Sequence, residues 1–524
     1  MTGCDFLDDV KTAVVEAPEE ESIVNEADKI SNRRYLRPRE IVAFLLTTFG
    51  QKNLSQFANA YRQFFMISFL GLSGSAYGLI VFAETLYDAA DDSISGVIID
   101  RTRTRWGRLR PYLLLPTPFW AIASVMLFSV PVFLETNAAR VIWAIAGIFI
   151  FNLGMSYFNA WNILLYNITP NLRERDSLIG TSKFFELFGT FLTSAVPLFV
   201  DFLPGISKGK IGMQSVYTYF AIIMAVIAGV TAIYGFKALR ERVPLVNKTD
   251  MQQISVWQSF KNAFKNKPLF ILLISSFFAG FKSVGATNET FFWLHNTGKQ
   301  SNAMLCSLFT GIPAYFMTPL APKIARKIGA RNAAALGGIF AGIFYFILFL
   351  VNPYKNISNP YVALAVTTIL LTLAGFPNGV LNVCGAILQG DVYDYSEWKT
   401  GVRNEALVAT VSGYFQKLSN SVMGLLGGAV ITWIGYTAQK DELGNVIRAT
   451  EPNILFGFFF LFSAVPAIAR FLYGVTLLFF PIHGKFKEQM NEELAVRRLE
   501  KIKANEAEGS AETELNGTTD SPTE

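Results

Sequence analysis

Twelve stretches of predominantly apolar residues recur along the chain, at 39–69, 75–99, 112–134, 139–168, 178–202, 215–238, 268–294, 302–325, 332–351, 360–390, 404–434 and 455–481. A run of about 20 such residues is what one helix needs to cross a bilayer. The pattern predicts an all-α polytopic membrane protein of twelve transmembrane helices. The fourth, tenth and eleventh runs contain polar residues and are the ones a strict hydropathy cut is expected to miss.

Composition agrees. Of 524 residues, 52% are hydrophobic and only 16% charged, where a soluble protein carries roughly a quarter charged. With 2 His, an imidazole metal site or a His-dependent hydrolase is not expected. Cys4, Cys306 and Cys384 are scattered without a C-x-x-C pair, against a thiolate cage or a disulfide framework. There is no nucleophile elbow, no HExxH and no phosphate-binding G-x-x-x-x-G-K-[ST] loop. The chain reads as neither an enzyme nor an ATP-driven pump. No cofactor and no nucleic-acid partner are expected, and any energy would come from an ion gradient.

Charge sets the topology. Alternate loops are basic: Arg33, Arg34, Arg37 and Arg39; Arg101, Arg103, Arg105, Arg108 and Arg110; Arg173 and Arg175; Lys237, Arg240 and Arg242; Lys323, Arg326, Lys327 and Arg331. By the positive-inside rule both termini are cytoplasmic. Residues 1–36 are polar and acidic, lack the apolar stretch of a signal peptide and read as a disordered tail. Residues 239–267 form a polar connector, with an amphipathic helix expected over 252–264. It separates two six-span bundles, 37–238 and 268–481, and a tail follows over 482–524. The bundles echo each other in RTRTRWGRLRP after the second span and KIARKIGARN after the eighth, as in transporters built from two related halves.

Charges inside spans are costly and usually functional. The second span carries Asp88, Asp91 and Asp92, spaced i, i+3 and i+4 on one helical face. Three buried anions persist only with a cation among them or a proton on one of them. Hard oxygen ligands of this kind suit Na⁺ or H⁺. The alternative is an ion-pair network with a lysine of another helix.

The motif continues through Gly96, Asp100, Arg101, Arg103, Arg105, Trp106, Gly107, Arg108, Arg110 and Pro111. A second runs from Gly390-Asp391-Val392-Tyr393-Asp394 through Glu397-Trp398-Lys399 to Gly401, Arg403 and Glu405. A third runs from Asn162 to Pro170, followed by Arg173-Glu174-Arg175. Together they resemble the melibiose permease-like glycoside–pentoside–hexuronide:cation symporters of the major facilitator superfamily, over about Arg37 to Pro481. The resemblance implies the major facilitator fold and a small-molecule sugar substrate and, together with the lack of a signal peptide, a bacterial cytoplasmic (inner) membrane; a monomer is expected.

Carried over by position, it implies a cation site at Asp88, Asp91, Asp92 and Asn159, with Na⁺ a candidate at Asp88 and Asp92. It places Lys52, Asn162, Tyr166, Lys183 and Lys417 at the substrate. Where galactoside-binding relatives have carboxylates on the first and fourth helices, this chain has Lys52 and Asn162, so the cavity is more cationic. Either Lys52 or Lys417 pairs with the aspartates, or Lys52 meets an anionic substrate such as a uronide. Arg173, Arg175, Asp391, Asp394, Glu397 and Arg403 are implied as ion pairs of a cytoplasmic gate. Lys282 and Arg470 stand inside the seventh and twelfth spans with their roles open. The function expected is cation-coupled sugar symport by alternating access. A carrier of lysolipids or other amphiphiles, or a non-transporting sensor, is the alternative.

Overall fold

The computed structural model describes residues 34–242, 266–401 and 405–497, apart from 159, 170 and 209. The tail before residue 34, the amphipathic connector helix and the residues after 497 lie outside the described residues. Within them the chain forms twelve helical rods at the apolar runs, besides shorter helices at Ala321–Ile328 and Pro353–Asn356 and one over 484–497. The rods are α1 (Pro38–Ser68), α2 (Gly74–Arg101), α3 (Pro111–Leu114 and Pro116–Leu127), α4 (Asn137–Phe158 and Ala160–Asn167), α5 (Leu172–Ser194 and Val196–Ile206) and α6 (Met213–Ala238). Then come α7 (Lys267–Gly280, Lys282–Thr287 and Glu289–Phe292), α8 (Asn302–Met317), α9 (Ala330–Val351), α10 (Pro360–Thr400), α11 (Glu405–Trp433) and α12 (Pro452–Leu478).

Local chemistry starts several of them. Asn266 accepts the Leu269 N–H at 3.2 Å ahead of Pro268. Asn359 accepts those of Tyr361 and Val362 ahead of Pro360. Asn171 accepts the Glu174 N–H at 3.2 Å at the start of α5. Each is a side chain satisfying an amide that the helix itself leaves open.

Among the described residues, seven helices are long and apolar enough to cross a bilayer on their own account: those at α4, α5, α6, α7, α9, α10 and α12. This corrects the expectation about polar spans. The fourth and tenth pass, because their polar residues sit outside the most apolar window. The eleventh does not, and neither do α1 and α2, which carry more ionisable groups. The apolar parts of α3 and α8 are shorter, at Pro111–Leu127 and Asn302–Ala314. The spans that fail include those that carry Lys52, the aspartates of α2 and Lys417.

Contacts divide the chain into two compact units, Met1–Arg62 with Ala90–Val196 and Gln214–Asp250, and Gln63–Ala89 with Pro197–Met213 and Met251–Glu524. In the first, aromatic pairs fill the core: Phe57 with Phe128 at 4.6 Å and Phe44 stacked on Trp161 at 4.5 Å. Such pairs add about 0.5–1.5 kcal/mol beyond their buried area. The basic turn after α2 is held by one carboxylate. Glu241 accepts the backbone N–H groups of Arg108, Leu109 and Arg110 at 3.0, 2.8 and 2.9 Å. Gly107 sits beside it at φ 107°, and a Cβ there would collide with the Glu241 carboxylate. Here only glycine meets both demands.

In the second unit Phe292 stacks on Phe462 at 3.8 Å and Phe291 on Phe458 at 5.3 Å. The first half of α2 packs on α11 through two small-residue pairs spaced by four, Gly74/Gly78 and Gly424/Gly428. A Cβ on Gly78 would stand 2.8 Å from the Leu425 carbonyl oxygen. Close backbone approach through such pairs is how membrane helices gain dispersion contact without a hydrophobic driving force. Residues 484–497, expected as tail, are helical, with Met490 and Leu494 buried in the core of this unit.

Candidate transport site

The α2 helix displays its carboxylates as the spacing predicted, and their environments differ. Asp88 pairs with Lys417 of α11, Nζ to Oδ2 at 2.8 Å, and the same ammonium reaches the Asp88 carbonyl oxygen at 3.3 Å. Asp91 is 7% exposed, and its Oδ2 is buried with no hydrogen-bond partner among the described residues. Tyr157 of α4 lies within electrostatic range of it. Asp92 is partly buried. Glu84, one turn before Asp88, adds a further buried carboxylate to this helix. Among the described residues no three His, Cys, Asp or Glu side chains converge as a metal cage. An ion here therefore needs neutral oxygens as well. Asn159, implied as one of them, lies outside the described residues.

Of the open readings for the lysines, Lys417 takes the ion pair with the aspartate group. The carboxylate that Lys52 meets is instead Glu186 on α5, Nζ to Oε1 at 3.7 Å. Lys183 holds the other oxygen of Glu186 at 2.8 Å, three residues before it on the same helix. The three side chains form one cluster carrying a net positive charge. They are accessible: 39% for Lys52, 25% for Glu186 and 71% for Lys183. Asn53 packs against Gly189 and accepts from Thr193 Oγ1 at 3.4 Å, and Phe49 stacks on Phe188 at 5.9 Å. These contacts fix α1 against α5 beside the cluster. Asn162 and Tyr166 fall on α4, with side chains outside the described residues.

At the end of α10 the helix continues past the predicted span, to Thr400. Asp391 and Glu397 are thus helical and buried, at 7% and 9% exposed. Asp391 is held by Lys487 of the 484–497 helix, at 2.6 Å to Oδ1 and 2.7 Å to Oδ2. That helix also ties down Trp398, whose Nε1 donates to Glu493 at 2.7 Å and whose carbonyl accepts from Arg497 at 2.8 Å. Asp394 lies on the same helix as Asp391, and Arg175 is partly buried on α5. Arg403 and the side chain of Arg173 lie outside the described residues.

Glu84, Glu186, Lys487 and Glu289 were missed from sequence. Glu186 had a readable signal, since Lys183 and Glu186 are i and i+3 inside an apolar run. Lys487 had none, because it sits in a segment that reads as tail.

Helices long and apolar enough to cross a bilayer, with charged pairs inside the spans, mark a multi-pass membrane protein, and its fold is that of the major facilitator transporters. The solved structure of the nucleoside transporter NupG superposes with a TM-score of 0.55 at 14% identity, covering 83% of this chain and 98% of that one. A D-xylose-proton symporter gives 0.54 at 17%, covering 84% and 97%. A family model described as MFS/sugar transport protein matches residues 43–484. The chain belongs to this family, the glycoside–pentoside–hexuronide symporters of the major facilitator superfamily. It is similar to the isoprimeverose transporter of Lactiplantibacillus pentosus, at 28% identity over 84% of this chain and 88% of that protein. The glucuronide carrier protein homolog of Escherichia coli (strain K12) is 26% identical over 83% and 91%. Transport, not catalysis, is the business of the family.

Proposed function

We propose that this protein moves a glycoside, oligosaccharide or hexuronide into a bacterial cell together with Na⁺ or H⁺. It does so by alternating access of its two six-helix halves, 37–238 and 268–481, as a monomer with both termini cytoplasmic. The observation that carries the coupling is the contrast within α2. Asp88 is neutralised by Lys417, while Asp91 keeps a buried oxygen with no partner among the described residues. An uncompensated buried carboxylate oxygen is costly and favours a proton or a hard cation. Asp91 and Asp92 would hold the ion, with Asn159 as a neutral ligand, and Asp88 would join when Lys417 moves off. Lys417 then links ion occupancy to the rest of the site, and the coupling between the two ligands is reciprocal.

For the cargo, Glu186 supplies an acceptor for sugar hydroxyls and Lys52 and Lys183 supply donors. Asn162 and Tyr166 of α4 complete the proposed site. The residual positive charge favours an acidic sugar, in keeping with the glucuronide named for one relative, while isoprimeverose is named for another. The inner gate is proposed on Arg173, Arg175 and Arg403 against Asp391, Asp394 and Glu397. Lys487 competes for Asp391.

The test is uptake into proteoliposomes of neutral glycosides and hexuronides under an imposed Na⁺ gradient and, separately, a pH gradient. Gradient-driven accumulation of one member establishes symport and names the ion. No accumulation by verified folded protein removes the sugar assignment.

A further inference from the structure

The seventh helix is broken after Gly280 and again at Asn288. The two charged residues between and beside the breaks, Lys282 and Glu289, both line a cavity of about 300 Å³ among α7, α8, α9, α10 and α12. Neither the transport site above nor the family motifs use it.

Two observations mark it as built for a ligand. Lys282 is partly buried and opens onto the cavity, yet among the described residues it makes no hydrogen bond and no ion pair within 4.0 Å; the charges it senses are Arg470 and Glu289. An ammonium left unpaired at membrane depth is expensive. It persists where something else completes it. The polar groups around it are also pre-oriented. Asn378 gives its carbonyl oxygen to Arg470 Nη2 at 2.7 Å, which leaves its amide N–H groups to donate. Glu289 is steered by Trp293, whose Nε1 donates to Oε1 at 3.0 Å.

The charges at the cavity specify the ligand. Lys282 on the wall and Arg470 behind it, bound to the lining residue Asn378, outweigh Glu289 by one positive charge, so a singly charged anion balances the group. Lys282 and Asn378 donate to that anion, and the Tyr345 hydroxyl stands on the same cavity wall. Glu289 accepts, so the anion must also bear hydroxyl donors. Phe462, stacked on Phe292, gives one apolar wall against which a ring face can lie. A halide would satisfy Lys282 and oppose Glu289. A neutral sugar would satisfy Glu289 and leave Lys282 unpaired. The volume is at the low end of small-molecule sites, about 300–1,000 Å³, which limits the occupant to about one ring.

We propose that this cavity binds a hydroxylated organic anion of one sugar ring, its acid group on Lys282 and its hydroxyls on Glu289. This site is separate from the Lys52–Glu186–Lys183 cluster and does not depend on the transport reading.

Ligand-dependent melting of the purified full-length protein tests it, since a ligand that binds only the folded state raises the melting temperature by mass action. The probes are D-glucuronate, D-glucose and chloride. Glucuronate is expected to raise the melting temperature saturably, with glucose and chloride at least about tenfold weaker, the size of one charge-assisted hydrogen bond. Lys282→Gln should weaken glucuronate by about tenfold or more and Glu289→Gln should weaken glucuronate and glucose alike. Lys52→Gln should leave the Lys282-dependent shift in place. If Lys282→Gln melts abnormally without ligand, Tyr345→Phe, which keeps the volume, decides by a several-fold loss. The proposal is overturned if wild type shows no glucuronate shift, if Lys282→Gln matches wild type, or if chloride matches glucuronate. It is also overturned if Lys52→Gln alone abolishes the shift, a result that would leave the transport reading standing.

Discussion

Two of the lysine–carboxylate clusters among the described residues, Lys417 with Asp88 and Lys52 and Lys183 with Glu186, are built differently. Asp88 and Lys417 meet at 2.8 Å and are exposed to about the same degree, 30% and 27%. Glu186 is shared by two ammoniums, one at 2.8 Å and one at 3.7 Å, and the more distant partner is the one from another helix. An ion that is to reach the Asp88 carboxylate must displace the Lys417 ammonium from it. An unbalanced trio carries a spare positive charge and open donors. On the proposed reading this difference gives the first to coupling and the second to cargo, and each assignment can be broken separately.

Asp88→Asn should have the largest effect. It takes the paired carboxylate away from the Lys417 ammonium, whose contact with the Asp88 carbonyl oxygen is longer, at 3.3 Å. Ion-driven uptake in proteoliposomes should fall at least about a hundredfold, because the residue acts where charge is least tolerated. Stability should fall as well, by less than the roughly 3–5 kcal/mol of a fully buried broken pair, since both side chains are partly solvated. If uptake per folded molecule keeps its full ion dependence, the pair merely ties α11 to α2. Asp92→Asn should likewise abolish ion stimulation with the fold intact; retained stimulation removes Asp92 from the site.

Next in size is Gly428→Leu, which attacks the packing beneath that pair. A Cβ at Gly428 would stand 2.8 Å from the Gly78 backbone nitrogen, so α2 and α11 must separate. Uptake should fall about tenfold with ion preference unchanged, as expected of packing rather than ligation. A change in Na⁺ versus H⁺ preference would mean that the helix spacing itself tunes the ion site.

The frame of this comparison was legible in the sequence and its partners were not. Apolar runs marked the helices α1 to α12, and the i, i+3, i+4 spacing marked the acidic face of α2. Lys417 also emerged, through its place in a family pattern. What one-dimensional spacing cannot carry is contact between helices distant in the chain. Glu186 lies far along the chain from Lys52, on the fifth helix against the first, and nothing local marks them as neighbours. Lys487 lies 96 positions after Asp391, in a segment whose polarity reads as tail because its buried face is only a few residues. Lys282 was visible as a charge inside a span, but its cavity depends on several helices at once.

The cargo cluster yields the smaller effects. Glu186→Gln removes the carboxylate shared by Lys52 and Lys183, leaving two ammoniums. Competition between a hexuronide and its neutral glycoside should shift toward the hexuronide by about tenfold, one charge-assisted hydrogen bond's worth of discrimination. Lys52→Asp should shift it the other way, and an unchanged profile would make Lys52 structural. Lys183→Gln should matter least. Its side chain is 71% exposed and its pair lies within one helix, a geometry worth under about 1 kcal/mol, so competition should move by less than about fivefold. The ranking of the two lysines is itself informative. Were Lys183→Gln to shift selectivity more than Lys52→Gln, the α5 pair would be the reader of the cargo. Lys52 would then be the residue that holds α1 to α5, and the spare charge of the trio would belong to helix packing rather than to recognition.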